Sequence, residues 1–358
     1  MGKMEDRYAK LREEMRRIGV DAIYVNSPEN HQYVTDFENP DGWVFITLDE
    51  AWMYADPRYI EAARAEATKL CRVCLPGEPT IASVAREKGI KAIGYEDQKI
   101  TCADFERFRK SFDGAEISFV PLGNLLTSLR EFKTDDEVAS IVAAQRIAEG
   151  AFAHICKVLT HDMTEIEVAA ELEYYMKRHG SQKPSFDTIC VSGTASSRPH
   201  GVPRNVKLEK GFLTMDFGAM VNGYHSDMTR TVVVGKADEA MKKLYNTVLR
   251  AQLEAEKAVA EGMKNFEVDK IARDIIYSAG YEGKFGHGLG HGVGLEIHEE
   301  PRLSPKTGDA TLKAGQIVTV EPGIYLEGLY GCRIEDMMLV TKNGAELLTD
   351  CPKELIEL

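Results

Sequence analysis

The chain has 358 residues, of which 44% are hydrophobic and 28% charged, so it is long enough for two domains with full cores. Its formal net charge of -13 argues against a nucleic acid or an anionic membrane as partner. No apolar run approaches the roughly 20 residues of a membrane-spanning helix, and the charged start lacks the apolar core of a signal peptide. The composition therefore predicts a cytoplasmic protein that binds neither nucleic acid nor membrane.

Short apolar runs alternate with helical patterns over about the first third of the chain, which predicts a small α/β domain. Near the start, Leu11, Met15 and Ile18 recur at helical spacing over a charged face, and Gly19 ends the pattern. The predicted helices are 6–18, 58–67, 81–88 and 102–112, and the predicted strands are 22–25, 43–48, 92–95 and 116–120.

The seven cysteines are odd in number and scattered, so no disulfide framework is predicted. Cys71 and Cys74 have the C-x-x-C spacing of a zinc or redox site, but no second pair lies at zinc-ribbon spacing. We therefore expect both cysteines to belong to a strand rather than to a metal site.

Two long helices are predicted next, each opened by a capping box. Thr134 with Glu137 marks the first start, and Thr164 with Glu167 marks the second. The second helix is expected to end at Gly180, because glycine readily adopts the conformation that closes a helix.

Beyond these helices the pattern changes to longer strands, and we find no internal repeat. Asn222-Gly223 is a strong signal for a hairpin turn between the first two strands. The predicted strands are 212–219, 224–234, 317–321 and 333–340, and the predicted helices are 239–262 and 268–280. This organisation predicts one domain over residues 1–125 and a second over residues 126–358.

Four carboxylates of the second domain occupy unusual positions. Asp216 and Asp227 flank the predicted hairpin turn, where cross-strand neighbours bring side chains to about 5 Å on one face. Two adjacent carboxylates repel each other unless a cation lies between them. Glu321 and Glu335 lie in apolar predicted strands, where carboxylates are rare unless they are paired or bind metal.

A glycine-rich stretch, 286–294, adds nitrogen donors to this set. Alternate glycines weaken a strand or helix but suit a backbone that passes close to a ligand. The stretch lacks a dinucleotide fingerprint, and His298-Glu299 does not continue into a zincin motif. Three histidines lie in or near this stretch: His287, His291 and His298. We expect that at least one of them serves a functional site.

Hard oxygen donors combined with one imidazole suit a pair of divalent metals better than a single zinc. Two ions about 3.5–4 Å apart can clamp both sides of a hydrolytic displacement, and carboxylates can bridge them. The four carboxylates and one histidine therefore predict a dinuclear metallohydrolase.

The second domain resembles the pita-bread metallopeptidases, a family that includes methionine aminopeptidases, proline-specific aminopeptidases, prolidases and the metal-free creatinases. Its metal-dependent members share five ligands in the order Asp, Asp, His, Glu, Glu, which here fall on Asp216, Asp227, His291, Glu321 and Glu335. The resemblance implies that Asp227 and Glu335 bridge two divalent metal ions, while Asp216 chelates one and His291 and Glu321 the other. Manganese is the expected metal, with cobalt and zinc as alternatives.

Neighbouring residues indicate the branch of the family. Methionine aminopeptidases carry a histidine directly after the final glutamate, whereas Arg333-Ile334-Glu335-Asp336 resembles the proline-specific branch. Segments 26–37 and 55–59 resemble the N-terminal domain of creatinases and prolidases. The expected fold is α/β (α+β), with this small α/β domain followed by a pita-bread catalytic domain.

The resemblance implies a peptidase that cleaves the Xaa-Pro bond of a proline-containing peptide at a free N-terminus, through a hydroxide that bridges the two metal ions. His200 would hold the substrate, and His298 would donate a hydrogen bond to the carbonyl or its tetrahedral intermediate. Glu321 would also carry a proton to the leaving proline nitrogen. Arg302 and Arg333 are candidates for anchoring a substrate carboxylate or stabilising the metal carboxylates.

Several points stay open at this stage. Arg198 precedes Pro199 where the family usually has an apolar residue, which affects the expected shape and charge of the substrate pocket. His225 is interpreted as a packing residue. The alternatives are a strict Xaa-Pro dipeptidase, a different amidase on the same fold and a scaffold without catalysis. The resemblance also implies a homodimer in which the first domain of one subunit borders the active site of the other.

Overall fold

The computed structural model describes residues 2–38 and 41–358, and the chain divides into two compact units, Met1–Arg130 and Glu131–Leu358. The helix Leu125–Arg130 belongs to the first unit, although the predicted boundary cuts it after its first residue. Leu126 in this helix is buried, and Arg130 Nη1 donates a hydrogen bond to Asn30 Oδ1 at 2.8 Å. These contacts attach the helix to the first unit.

The first unit is an α/β domain, as predicted. Its elements are α1 (Lys3–Ile18), β1 (Ala22–Val25), α2 (Pro28–Thr35), β2 (Trp43–Thr47), β3 (Ala51–Tyr54), α3 (Ile60–Glu66), β4 (Arg72–Cys74), α4 (Ile81–Lys88), β5 (Ala92–Tyr95), α5 (Cys102–Lys110), β6 (Ser118–Pro121) and α6 (Leu125–Arg130). Within the described residues the strands form one sheet in the order β4-β3-β2-β1-β5-β6. Strand β1 pairs antiparallel with β2 and parallel with β5, so the sheet is mixed.

Helix α2 was not predicted, because its capping group is distant in sequence. Glu96, which follows β5, accepts hydrogen bonds from the backbone N–H groups of Asn26 (2.6 Å) and Ser27 (2.9 Å). The amide of Asn30 also donates to this carboxylate at 2.6 Å. The buried Glu96 carboxylate thus accepts hydrogen bonds from N–H groups at the start of the helix, where a negative charge also interacts favourably with the helix dipole.

The second unit consists of two helix pairs and several antiparallel sheets. Its elements are α7 (Asp135–Val158), α8 (Glu165–Arg178), β7 (Ile189–Ser192), a 3-10 turn (Gly193–Ser197), β8 (Gly211–Phe217), β9 (Met220–Val221), β10 (Tyr224–His225), β11 (Met228–Val234), α9 (Glu239–Ala258), α10 (Asn265–Ser278), β12 (Gly290–Gly292), β13 (Glu299–Leu303), β14 (Ile317–Val320), β15 (Gly323–Leu326), β16 (Tyr330–Arg333), β17 (Asp336–Thr341) and β18 (Gly344–Leu347). Thr164 N–H donates to Glu167 Oε2 at 2.7 Å, and Glu167 N–H donates to Thr164 Oγ1 at 3.2 Å, which is the predicted capping box of α8.

The two halves of this unit share one plan, which the sequence analysis missed. In the first half, α7 and α8 pack on the sheet β11-β8-β7 through side chains such as Phe152 and Leu172. In the second half, α9 and α10 pack on the sheet β13-β12-β14-β17-β18 through side chains such as Val248 and Ile276. The core therefore lies between a helix pair and a sheet in each half.

Asn222 and Gly223 form the predicted tight turn, with φ of 51° and 77°. The turn joins the short strands β9 and β10 rather than two continuous long strands. Strands β8 and β11 pair separately beyond a break at Gly218, where an added Cβ would overlap the carbonyl oxygen of Ser226. This close approach between backbones is possible only without a side chain.

Among the residues that the structure describes, none of the helices combines the length and the apolar character needed to cross a bilayer. The seven cysteines are free. Cys74 belongs to β4 as expected, but Cys71 directly precedes that strand, where it is buried with its sulfur 2.6 Å from the Tyr8 hydroxyl.

Candidate active site

The five predicted metal ligands converge on one cavity of about 830 Å³, although they come from both halves of the second unit. Asp216 lies on β8, and His291 lies on β12. The other three lie outside the strands, because Asp227 directly precedes β11, Glu321 directly follows β14, and Glu335 occupies the gap between β16 and β17. The predicted strand 317–321 is thus one residue too long, and the predicted strand 333–340 spans the break between β16 and β17.

The arrangement of the two aspartates differs from the predicted one. In the ladder of β8 with β11, the residue opposite Asp216 is Thr229, not Asp227. Asp227 instead approaches the site from the two-residue connection between β10 and β11. The two carboxylates still interact, since Asp216 contributes to the raised pKa of Asp227.

His291 is the centre of the ligand set. Its Nε2 lies 3.5 Å from Asp227 Oδ2 and 3.5 Å from Glu321 Oε1. Ligand atoms of Asp227, His291 and Glu335 all lie within 4.8 Å of one another, which is close enough for one cation to contact all three.

The tautomer of His291 follows from its second contact. Nδ1 lies 3.0 Å from the carbonyl oxygen of Gly292, which can only accept a hydrogen bond. Nδ1 therefore carries the proton, and Nε2 presents a lone pair to the carboxylates. Burial lowers the pKa of His291 to about 3, so the ring is neutral at pH 7 and suited to bind a metal.

The buried carboxylates repel one another strongly. The pKa of Asp227 is raised well above its usual range, first by burial and then by Asp216 and Glu321. Burial followed by Asp227 and Glu321 raises the pKa of Glu335 in the same way. Burial raises the pKa of Glu321 to about 8, although Arg333 opposes this shift. Protons or cations must neutralise this cluster.

Two observations indicate that the five predicted ligand residues suit divalent cations. Asp216 Oδ1 is buried and has no hydrogen-bond partner among the described residues, so one carboxylate oxygen is left for a cation. The donor set combines carboxylate oxygens with one imidazole nitrogen, the chemistry that hard or borderline divalent ions prefer.

Close backbone contacts explain the glycines beside His291. A Cβ on Gly290 would overlap the carbonyl oxygen of Thr319, and one on Gly292 would overlap that of Glu300. Only Gly290–Gly292 of the stretch form a strand, β12. The glycines allow β12 to approach its neighbours and carry His291 into the cavity.

The predicted substrate residues His200, His298 and Arg302 also line the cavity. The His298 ring lies edge-on to His291, with 4.4 Å between the ring centroids. Partial burial and the nearby Arg302 lower the pKa of His298, so its ring is neutral at pH 7. Arg198 is exposed, and the described residues that line the cavity do not include it.

Arg333 makes contacts that favour one of its two predicted roles. Nη2 donates to Asp216 Oδ2 at 2.6 Å, Nε donates to Thr229 Oγ1 at 2.9 Å, and Nη1 donates to the Tyr325 hydroxyl at 2.8 Å. These bonds bind the guanidinium to the carboxylate cluster, so a role in supporting the ligands is favoured over anchoring a substrate carboxylate.

Sequence reasoning noted His287 without giving it a role, and it missed Tyr325. The Tyr325 hydroxyl links Arg333 to His287 Nε2, which lies 3.0 Å away, and His287 lines the cavity. His287 stood in the glycine-rich stretch and had a sequence signal, but Tyr325 on β15 had none. His225, in contrast, is buried with Nδ1 2.8 Å from Ser185 Oγ, in keeping with a packing role.

The chain matches two family models. The model described as metallopeptidase family M24 covers residues 139–342, and the model described as Creatinase/Prolidase N-terminal domain covers residues 7–132. These matches confirm the predicted combination of a creatinase-type first domain and a metallopeptidase domain. The family implies divalent metal ions at the site.

Individual relatives match over the full length. The chain is 39% identical over 356 residues to the Xaa-Pro dipeptidase of Pyrococcus furiosus, covering 99% of this chain and 100% of that protein. A solved structure of an Xaa-Pro dipeptidase from Bacillus anthracis has a TM-score of 0.94 and 38% identity, covering 99% of this chain and 100% of the other. An X-Pro aminopeptidase from Thermotoga maritima MSB8 has a TM-score of 0.89 and 32% identity, covering 97% and 100%. On the family model and on these full-length relatives, the chain belongs to metallopeptidase family M24.

Proposed function

We propose that this protein hydrolyses the Xaa-Pro bond at the free N-terminus of a peptide, with two divalent metal ions as cofactors and manganese as the native metal. The observation that carries the proposal is the convergence of five ligand residues, four of them buried and Glu321 partly buried, together with His200 and His298, on one cavity. The names of the relatives from Pyrococcus furiosus, Bacillus anthracis and Thermotoga maritima, which all refer to Xaa-Pro or X-Pro cleavage, support the choice of substrate.

We assign the metal ligands as follows. Asp227 and Glu335 would bridge the two ions, Asp216 would hold one, and His291 and Glu321 would hold the other. When bound, the ions supply a water-derived nucleophile at neutral pH and polarise the scissile carbonyl. The mutual repulsion of the buried carboxylates supports this assignment, because cations relieve it.

The chain's own residues would orient the substrate and move the proton. His298 would donate a hydrogen bond to the carbonyl oxygen as negative charge develops on it, which its neutral ring permits. His200 would hold the peptide at the cavity wall. Glu321 would take a proton from the nucleophile and deliver it to the leaving proline nitrogen, which has no N–H of its own in the peptide bond.

A strict Xaa-Pro dipeptidase is the second candidate, because two of the three relatives above carry that name. A strict dipeptidase needs a cation that meets the carboxylate of the proline residue. Arg302 is the candidate, since it lines the cavity and its Nε lies 3.9 Å from Glu300 Oε1, a distance that leaves it available. We favour cleavage of longer peptides as well, since Arg302 alone does not exclude them.

The deciding experiment compares turnover of Ala-Pro, Ala-Pro-Ala and Ala-Ala-Ala at equal concentration with manganese. We expect cleavage of the first two and little of the third. Cleavage of Ala-Pro alone would establish the strict dipeptidase. Hydrolysis of Ala-Ala-Ala, without cleavage before proline, would overturn the proposal.

We also propose a cytoplasmic homodimer. The free cysteines fit a reducing compartment. Multi-angle light scattering at micromolar concentration tests the dimer, and an active monomer would contradict it.

A further inference from the structure

A buried network of charged and amide side chains lies behind Glu335, separate from the cavity. Asp336 is its centre and is fully buried. Arg230 Nη2 lies 2.7 Å from Asp336 Oδ1, Lys353 Nζ lies 2.5 Å from Asp336 Oδ2, and Gln252 Nε2 lies 2.7 Å from the same Oδ2. Lys353 also contacts both oxygens of Glu256, at 2.7 and 2.8 Å.

All five N–H groups of the Arg230 guanidinium are used. Nη1 donates to the carbonyl oxygens of Glu335 (2.6 Å) and Thr229 (3.0 Å). Nε donates to the carbonyl oxygen of Pro352 at 2.8 Å, and Nη2 donates to that of Cys351 at 2.9 Å in addition to Asp336. The group therefore joins three segments of the chain that are distant in sequence.

These contacts determine where Glu335 lies. Glu335 occupies the gap between β16 and β17, so no strand ladder holds it there. Its backbone N–H donates to Thr229 O at 3.2 Å, its carbonyl accepts from Arg230, and its Oε2 accepts from Thr229 Oγ1 at 2.7 Å. The backbone of this ligand is thus held by the Arg230–Asp336 pair and by Thr229.

Lys353 holds this pair from the opposite side. Its ammonium lies between Asp336 and Glu256, and its side chain is only 15% exposed. Burying charges is costly, and networks of this kind are often no more stable than apolar packing. The cost is explained if the network aligns Glu335, a proposed metal ligand. Removing a residue that supports a metal ligand typically lowers metal affinity by about 10–100-fold.

We infer that Lys353, acting through Asp336 and Arg230, is a positioning residue that holds Glu335 in its metal-binding geometry. The inference rests on the proposed ligand set, but not on the proposed substrate. Segment 351–353 would then be part of the apparatus that shapes the metal centre.

The test uses the full chain and manganese alone, by titration calorimetry on metal-free protein at 25 °C. For Lys353→Met we expect the manganese affinity to fall by about tenfold or more. Hydrogen exchange at the amides of residues 334–337 in the metal-free variant should also accelerate. Lys353→Arg, which keeps a cation with several donors, should restore most of the affinity.

Lys236→Met is the matched control, because Lys236 forms an exposed ion pair with Glu357 at 2.8 Å and does not contact Asp336. We expect it to leave manganese affinity unchanged. If Lys353→Met does not fold, Lys353→Gln replaces it, because the glutamine amide can still donate to Asp336. The manganese affinity of Lys353→Gln should also fall.

A manganese affinity of folded Lys353→Met or Lys353→Gln within twofold of the unaltered protein would overturn the inference, even if the thermal midpoint of the variant falls. A lack of manganese binding by the unaltered protein would instead overturn the ligand assignment. Failure to cleave Xaa-Pro bonds, with normal metal binding, would contradict the proposed substrate alone.

Discussion

Arg333 Nη2 lies 2.6 Å from Asp216 Oδ2, in an ion pair whose side chains are 3% and 12% exposed. The pair fixes the rotation of the Asp216 carboxylate and leaves Oδ1 without a hydrogen-bond partner among the described residues. Arg333 therefore acts on the proposed metal centre through one of its ligands, and it also compensates part of the negative charge of the cluster.

Arg333→Lys should lower manganese affinity by about tenfold and reduce turnover. Lysine keeps the charge, but a single ammonium cannot replace the planar guanidinium that donates to Asp216, Thr229 and Tyr325 together. Titration calorimetry measures the change. Arg302→Lys is the control at the cavity wall and should retain full manganese affinity. If Arg333→Lys also retains full manganese affinity, the role of Arg333 is refuted.

Asp227→Asn should remove nearly all activity and lower the bound manganese from two ions per chain, because an amide cannot bridge two cations. Elemental analysis of the dialysed protein measures the metal content. Two ions per chain in this variant would show that Asp227 is not a bridging ligand.

The metal-free protein should also lose stability as the pH rises toward about 8. Glu321 has a folded-state pKa of about 8, which is above its unfolded value. Its contribution to the free energy of unfolding is therefore present at low pH and is lost as the pH rises through the folded-state pKa. Asp227→Asn removes one of the repelling carboxylates, so the stability of this variant should decline less steeply with pH. Thermal unfolding in chelator between pH 5 and 9 tests this, and parallel curves would contradict it.

His298→Ala should reduce turnover by roughly a hundredfold or more, since the proposed hydrogen bond to the developing oxyanion is lost. Metal content should stay unchanged, because His298 is not in the ligand set. His161→Ala, at a side chain that is 83% exposed, provides the control. Wild-type turnover in His298→Ala would remove His298 from the mechanism.

His31→Leu should make the first unit less sensitive to acid. Burial lowers the pKa of His31 to about 4, so the unfolded chain binds a proton between about pH 6.5 and 4 that the folded chain does not. The contribution of the neutral ring is therefore present above pH 6.5 and is lost as the pH falls toward 4, by up to about 3 kcal/mol. Urea unfolding of both proteins at pH 7 and pH 4.5 measures the difference, which should be smaller in the variant.

Local patterns were sufficient for much of the fold. The capping box at Thr164, the turn at Asn222 and the periodic helices depend on neighbours a few residues apart, and such signals are visible in the sequence. The ligand candidates were also recognisable, because carboxylates in apolar strands and histidines among glycines are costly unless they serve a site.

Contacts between distant segments could not be predicted in this way. Glu96 caps a helix that starts about seventy positions earlier, and Tyr325 and Lys353 had no local signal for their partners. The sequence by itself determined the family, the fold class and the candidate ligands, because periodicity and residue chemistry are local properties. Only the tertiary structure decided that Asp216 lies opposite Thr229, that Arg333 pairs with Asp216 and that Glu335 is held in a gap between strands, because register and ion pairing depend on packing between segments far apart in the chain.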